Sequence, residues 1–133
     1  MRFPYVPERR GTALWHVPRV PVVLHGRNTS VKLHSLVDSG SDHNIFGLDV
    51  AHRLRLALAN EQPVQLQGFA GGQAEGYLVP IAMTVAGHRF ATTAIFTAAA
   101  TMDAGILGQV DFFSFFVVTF DYQNKLIDIR RPR

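Results

Sequence analysis

The sequence predicts an all-β fold, a barrel or sandwich carrying one or two short helices. Three observations predict it. Short runs rich in β-branched and aromatic residues recur along the chain. Turn residues separate them at near-regular spacing. The 133 residues are 47% hydrophobic, enough to bury one substantial core in a chain of single-domain size.

Residues 1–18 hold three of the seven prolines and little periodicity, so residues 1–19 are read as an extended N-terminal arm and residues 20–133 as the folded domain. Residues 20–25 form a short β-type run, residues 26–30 have turn composition, and residues 31–37 form a second run, which together make a hairpin. His43-Asn44-Ile45-Phe46 reads as another short strand. Leu48, Ala51, Leu54, Leu56 and Leu58 are interleaved with polar residues, and Asp49 suits a helix start, so a helix is expected over residues 48–58. Residues 64–67 alternate as a strand. Residues 68–73 form a loop with three glycines. Residues 77–85 and 88–96 are strands joined at Ala86-Gly87, and a short helix is expected at 109–115. Residues 117–121 and 125–129 close the chain as a hairpin.

Composition excludes several chemistries. Cysteine is absent, which removes disulfides, thiolate nucleophiles and thiolate metal sites. No HxH or HExxH pair occurs among the six histidines, so no metal site is expected. No Gly-x-Ser-x-Gly elbow is present. Neither an apolar leader nor a run of membrane-spanning length appears, and a soluble, cytoplasmic protein with no membrane partner is expected. The formal charge is +3, and eleven of the thirteen basic residues are arginine, six of them near the chain ends. No aromatic or Gly-rich nucleic-acid motif accompanies that charge, so a solvated terminus is expected and nucleic acid is not.

The chemistry concentrates in Leu36-Val37-Asp38-Ser39-Gly40. An Asp-Ser-Gly triplet follows an apolar strand, so the Asp38 carboxylate can sit on the floor of a cleft. The triplet occurs once. If a second copy of the chain brings its own Asp38 within about 3 Å, the two carboxylates cannot both ionise and share one proton. The ionised group can then act as base on a water, and the protonated one can polarise a carbonyl and protonate a leaving amine, with no metal or covalent intermediate. Ser39 supplies a hydroxyl for the loop. Gly40 is expected to provide close backbone approach and a φ that other residues avoid. Asp111 is expected in the first turn of the helix after Ile106-Leu107-Gly108, where it favours the dipole. Phe112, Phe113, Phe115 and Phe116 make a greasy cluster for which a second copy is a natural cover.

Three motifs in this order resemble the retropepsin-like aspartic proteases, the single-domain type of retroviruses and bacteria, over residues 20–129. Leu36-Val37-Asp38-Ser39-Gly40-Ser41-Asp42 is similar to the family's catalytic loop, Gly68-Phe69-Ala70-Gly71-Gly72-Gln73 to the flap tip, and Ile106-Leu107-Gly108 to the hydrophobic-hydrophobic-Gly motif that packs on that loop. The resemblance implies a retropepsin-like acid-protease barrel with a flap hairpin. It implies an aspartic endopeptidase that works as a homodimer on polypeptide substrates without a cofactor. Asp38, Ser39 and Gly40 would form the catalytic loop. Asp42, His43, Ile45, Ala104 and Ile106 would bind or wall the substrate from the floor, and Phe69, Gly71 and Gly72 from the flap. Ser39 stands where the family more often has Thr, and the 48–58 helix is closer to bacterial and eukaryotic relatives than to compact retroviral enzymes. The arm before residue 20 matches no family element, and a dimer strand, a self-cleaved extension and a plain tail all stay open for it. The alternative function is a catalytically silent dimerisation or peptide-binding module on the same fold.

Overall fold

The computed structural model describes residues 1–67, 72–98 and 104–133. The strands are β1 (Arg2–Pro4), β2 (Val6–Arg10), β3 (Ala13–Val17), β4 (Arg19–His25), β5 (Ser30–Val37) and β6 (Ile45–Gly47). After helix α1 (Leu48–Arg53) come β7 (Gln62–Gln67), β8 (Gln73–Val85), β9 (His88–Thr97), β10 (Ile106–Leu107), β11 (Val117–Asp121) and β12 (Leu126–Arg130). The all-β architecture with short helices is the one the sequence pattern predicts.

Among the described residues, one sheet runs β4-β5-β10-β6-β9-β8-β7, and a further pairing of β4 with β8 closes it into a barrel. The closure depends on the length of β8. Its first half, from Gln73 to Leu78, pairs with β7, and its second half, from Ala82 to Val85, pairs with β4. Pro80 falls between the two partners, where its missing N–H deprives neither ladder of a bond. Alternation fills the barrel: Val20, Val22 and Leu24 of β4 and Val79, Ile81, Met83 and Val85 of β8 point inward and are buried. Phe46, Phe96, Leu107 and Phe112 complete the core near the carboxyl ends of β5 and β9.

Helix α1 is shorter than its apolar pattern suggests. Arg55 takes a left-handed φ of 58° directly after the Leu54 cap, which ends the helix, and Leu58–Asn60 form a separate 3₁₀ turn. The expected 109–115 helix is only a 3₁₀ turn at Phe113–Phe115. Its leading N–H groups are diverted: Gln109 N–H donates to Ser41 O and Val110 N–H to Asp42 O, both at 2.8 Å. The phenylalanine cluster is covered largely within the chain. Phe90 stacks against Phe112, Phe115 and Phe116, and Phe112 and Phe116 are buried.

The first seventeen residues are extended and paired. β1 joins β12 and β11 in a three-stranded sheet, and β2 and β3 form a hairpin of their own. Among the described residues no helix is long and apolar enough to cross a membrane.

Two consequences are measurable. The β8–β9 turn puts both Ala86 (φ 51°) and Gly87 (φ 78°) in the left-handed region, as a type I′ turn demands. Ala86→Asn relieves the strain on a Cβ residue there and is expected to stabilise by about 0.5–1 kcal/mol, read as a melting temperature raised by roughly 2–4 °C. An unchanged or lower melting temperature would contradict this turn assignment. His25, bonded to Thr84 Oγ1 at 2.7 Å, has its pKa lowered by burial and by the charge of Arg89. A base with a depressed folded pKa stabilises fully above its unfolded value of 6.5 and loses that contribution as pH falls through it. The melting temperature should fall between pH 7 and pH 5 more steeply in the parent protein than in His25→Gln.

Candidate active site

Strand β5 carries the chain to Asp38, and two neighbours hold its end. β10 runs parallel to it, with Ile106 beside Leu36 and Leu107 beside Val37, and Asp38 N–H donates to Leu107 O at 3.0 Å. On the other side Val37 N–H donates to Pro18 O at 2.9 Å. The strand is pinned from both sides immediately before the carboxylate, so Asp38 leaves it in one direction.

The loop beyond Asp38 turns tightly. Ser41 N–H donates to Asp38 O at 3.1 Å and Gly40 N–H donates to Asp38 Oδ1 at 2.8 Å. The second bond explains Gly40 differently from the sequence-based expectation. Gly40 is not among the residues with positive φ. The constraint is contact, since a Cβ at Gly40 would lie 3.2 Å from Asp38 Oδ1. Asp38 is half-buried with Ser39 and Gly40 exposed beside it.

A strap over residues 108–111 grips this loop from behind. Gly108 packs so closely on His43 that a Cβ there would fall 2.4 Å from the His43 carbonyl oxygen. Only glycine fits. Gln109 Nε2 donates to Ser39 O. Together with the two backbone bonds from Gln109 and Val110, this ties the strap to Ser39, Ser41 and Asp42 in turn.

Two residues that the sequence pattern leaves unremarked or misplaces lock the strap down. Asn44 is fully buried. Its amide nitrogen donates to Thr93 O at 3.1 Å and Asp111 O at 3.3 Å, while its oxygen accepts Gly108 N–H at 3.0 Å. Asp111 is 4% exposed and is not a surface residue at a helix start. A carboxylate so buried is costly without partners, and its oxygens accept Thr93 Oγ1–H at 2.7 Å, His43 Nδ1–H at 2.9 Å and Asn44 N–H at 3.1 Å. The dipole reading fails because no regular helix forms there for Asp111 to cap. The polar residues Asn44, directly before β6, and Thr93, within β9, were the available signal.

Of the residues singled out by sequence, Asp38, Ser39, Gly40, Asp42 and His43 lie on this one loop. Ile45 and Ile106 are paired across β6 and β10, both half-buried, and Ala104 O accepts the buried Ser35 hydroxyl one strand away. Gly72 stands exposed at the start of β8 with open space where a side chain would go. Phe69 and Gly71 lie outside the described residues. Nothing among the described residues gathers three or more metal-ligating side chains. The arrangement offers one half-exposed carboxylate on a rigid loop beside an apolar wall. A single carboxyl cannot be base and acid in one step, so acid–base chemistry here would need a second one.

Asn44→Ala leaves the buried Gly108 N–H without its acceptor and is expected to destabilise by about 2–3 kcal/mol. Urea unfolding should show a lower midpoint at unchanged slope. A midpoint equal to the parent's would show that the joint carries little of the fold.

Residues 20–110 match the sequence profile of the aspartyl protease family. The fold is similar to that of EIAV protease, solved with the inhibitor HBY-793. The TM-score is 0.56 at 20% identity, over 77% of this chain and 88% of that one. It is also similar to a retropepsin-like aspartic protease from Rickettsia conorii, with a TM-score of 0.64 at 16% identity over 98% of each chain. No curated protein sequence matches the chain.

Proposed function

The chain belongs to the aspartyl protease family and has a retropepsin-like fold, and from that premise we propose that it is an aspartic endopeptidase active as a homodimer. The observation that carries the reading is the single half-buried Asp38 on a loop braced on both sides and from behind. Such bracing suits a group that must be held in place against an identical group of a second copy.

In the proposed reaction the two Asp38 carboxyls share one proton across the two-fold axis. The ionised one takes a proton from a water, and the hydroxyl oxygen adds to the scissile carbonyl carbon. The protonated one gives its proton to the carbonyl oxygen, which yields a neutral tetrahedral diol. Collapse returns a diol proton to a carboxylate while the amide nitrogen is protonated and the C–N bond breaks. Gly40 N–H fixes Asp38 Oδ1, which orients the carboxyl for this exchange. Ser39 flanks it, and Asp42 and His43 present polar groups to an extended substrate. Ile45, Ala104 and Ile106 wall apolar subsites. The hairpin of β7 and β8 serves as the flap, closing over the peptide to exclude water, and the motif containing Phe69, Gly71 and Gly72 falls between these two strands in the sequence.

Asp38→Asn is expected to lower peptide cleavage at least about a thousandfold while leaving the sedimentation coefficient unchanged. Cleavage by the parent should decline as pH rises far enough to strip the shared proton. Retained cleavage in the variant would sink this mechanism. A parent that forms dimers but cleaves no member of a broad peptide library between pH 4 and 8 would favour the silent binding module.

A further inference from the structure

We propose that the β2–β3 hairpin is a clamp that docks on the second copy of the chain, with Leu14 and Trp15 as its anchors; the inference rests on the homodimeric reading above. Among the described residues the hairpin is a two-stranded sheet joined to no other strand. From Arg9 through His16 every residue is exposed, so neither face is covered. Leu14 is 55% and Trp15 50% exposed. A lone two-stranded hairpin is marginal in water, and an exposed large apolar side chain on each of its two faces, Leu14 on one and Trp15 on the other, is what an anchor looks like before its partner arrives.

The root of the hairpin shows which partner. Tyr5 and Val17 are buried at its base, Val6 pairs with Val17, and Glu8 bonds to Arg19 at 3.4 Å, so the base is fixed to the barrel. Directly after Val17, Pro18 accepts the N–H of Val37, the residue before Asp38. If two Asp38 carboxylates meet on a two-fold axis, that axis passes within roughly 10 Å of Pro18, about one strand spacing and one or two residue rises. A hairpin of five-residue strands extends about 15 Å, enough to cross it. The Arg10 guanidinium lies 5.4 Å from the Trp15 ring centre, a cation–π contact that favours one placement of the indole. A seat of matching chemistry exists near the same axis. Val110 is 59% exposed on the strap, where its N–H bonds to Asp42 O. Each hairpin therefore adds apolar contact area to an interface that two short catalytic loops would leave far below the roughly 800 Å² per partner of a specific complex.

Trp15 is the only tryptophan, so its fluorescence reports the hairpin alone. Emission and sedimentation are measured on the same dilution series of the parent, with peptide cleavage alongside. The expected result is an emission maximum that moves to the blue in step with the dimer fraction. Trp15→Ala and Leu14→Ser, each checked for an unchanged far-ultraviolet circular dichroism spectrum, should weaken dimerisation roughly tenfold or more. A dimer that forms and cleaves with Trp15 emission unmoved, and with both variants dimerising like the parent, overturns the clamp and leaves the protease reading standing. A blue shift seen only with anionic vesicles or RNA, and not on dimerisation, also overturns it. A chain that stays monomeric and inactive at every concentration removes both.

Discussion

The buried joint between Asn44, Gly108 and Asp111 is the constraint from which the rest of the site follows. It is a polar joint in an apolar core, and every group in it is satisfied: among the described residues no buried side-chain nitrogen or oxygen lacks a partner. Such networks specify one arrangement, because any slip leaves a desolvated donor or acceptor behind. Here the arrangement fixed is the distance between two chain segments far apart in sequence. Gly108 reaches the backbone of His43 as closely as atoms permit, and the strap then meets the loop at Ser39, Ser41 and Asp42. Asp38 inherits its position from that grip.

The barrel gives the joint its footing. β10 is only two residues long, yet it lies between the end of β5 and the start of β6 and joins the two. Gly105, at φ 74° and with a Cβ position 2.2 Å from the Phe46 ring, allows the chain to turn into that slot. Packing, backbone freedom and hydrogen bonding converge on one short segment. Nothing equivalent covers the open side of Asp38 among the described residues, and the hairpin exposed beside it is likewise uncovered. Both are surfaces that the proposed homodimer would cover.

The barrel strands were legible because each buries one face and so alternates. The Asp-Ser-Gly loop and Ile106-Leu107-Gly108 were legible as motifs, since each needs particular residue types at particular places. Other features were hidden for definable reasons. Helix lengths were overestimated at 48–58 and 109–115, where left-handed Arg55 and the non-helical backbone of Phe112 (φ −131°) cut short patterns that apolar spacing alone would extend. The hairpin pairing of residues 9–16 carries no burial signal, since strands exposed on both faces do not alternate. Asp111 reads in the sequence as a first-turn helix charge because a buried carboxylate is recognised only by its donors, and Asn44, Thr93 and His43 come from two other segments. The special φ expected at Gly40 is absent, and the crowding of a Cβ there against Asp38 Oδ1 is invisible in one dimension.

The central claim is that two Asp38 side chains, one from each copy, make one catalytic unit. Mixing the parent with Asp38→Asn at fixed total concentration, after exchange of subunits, tests it most directly. If both carboxyls are needed, cleavage follows the square of the parent fraction, so an equal mixture keeps about a quarter of the activity. Activity in simple proportion to the parent fraction, about half in the same mixture, would mean that one chain suffices and would contradict the claim.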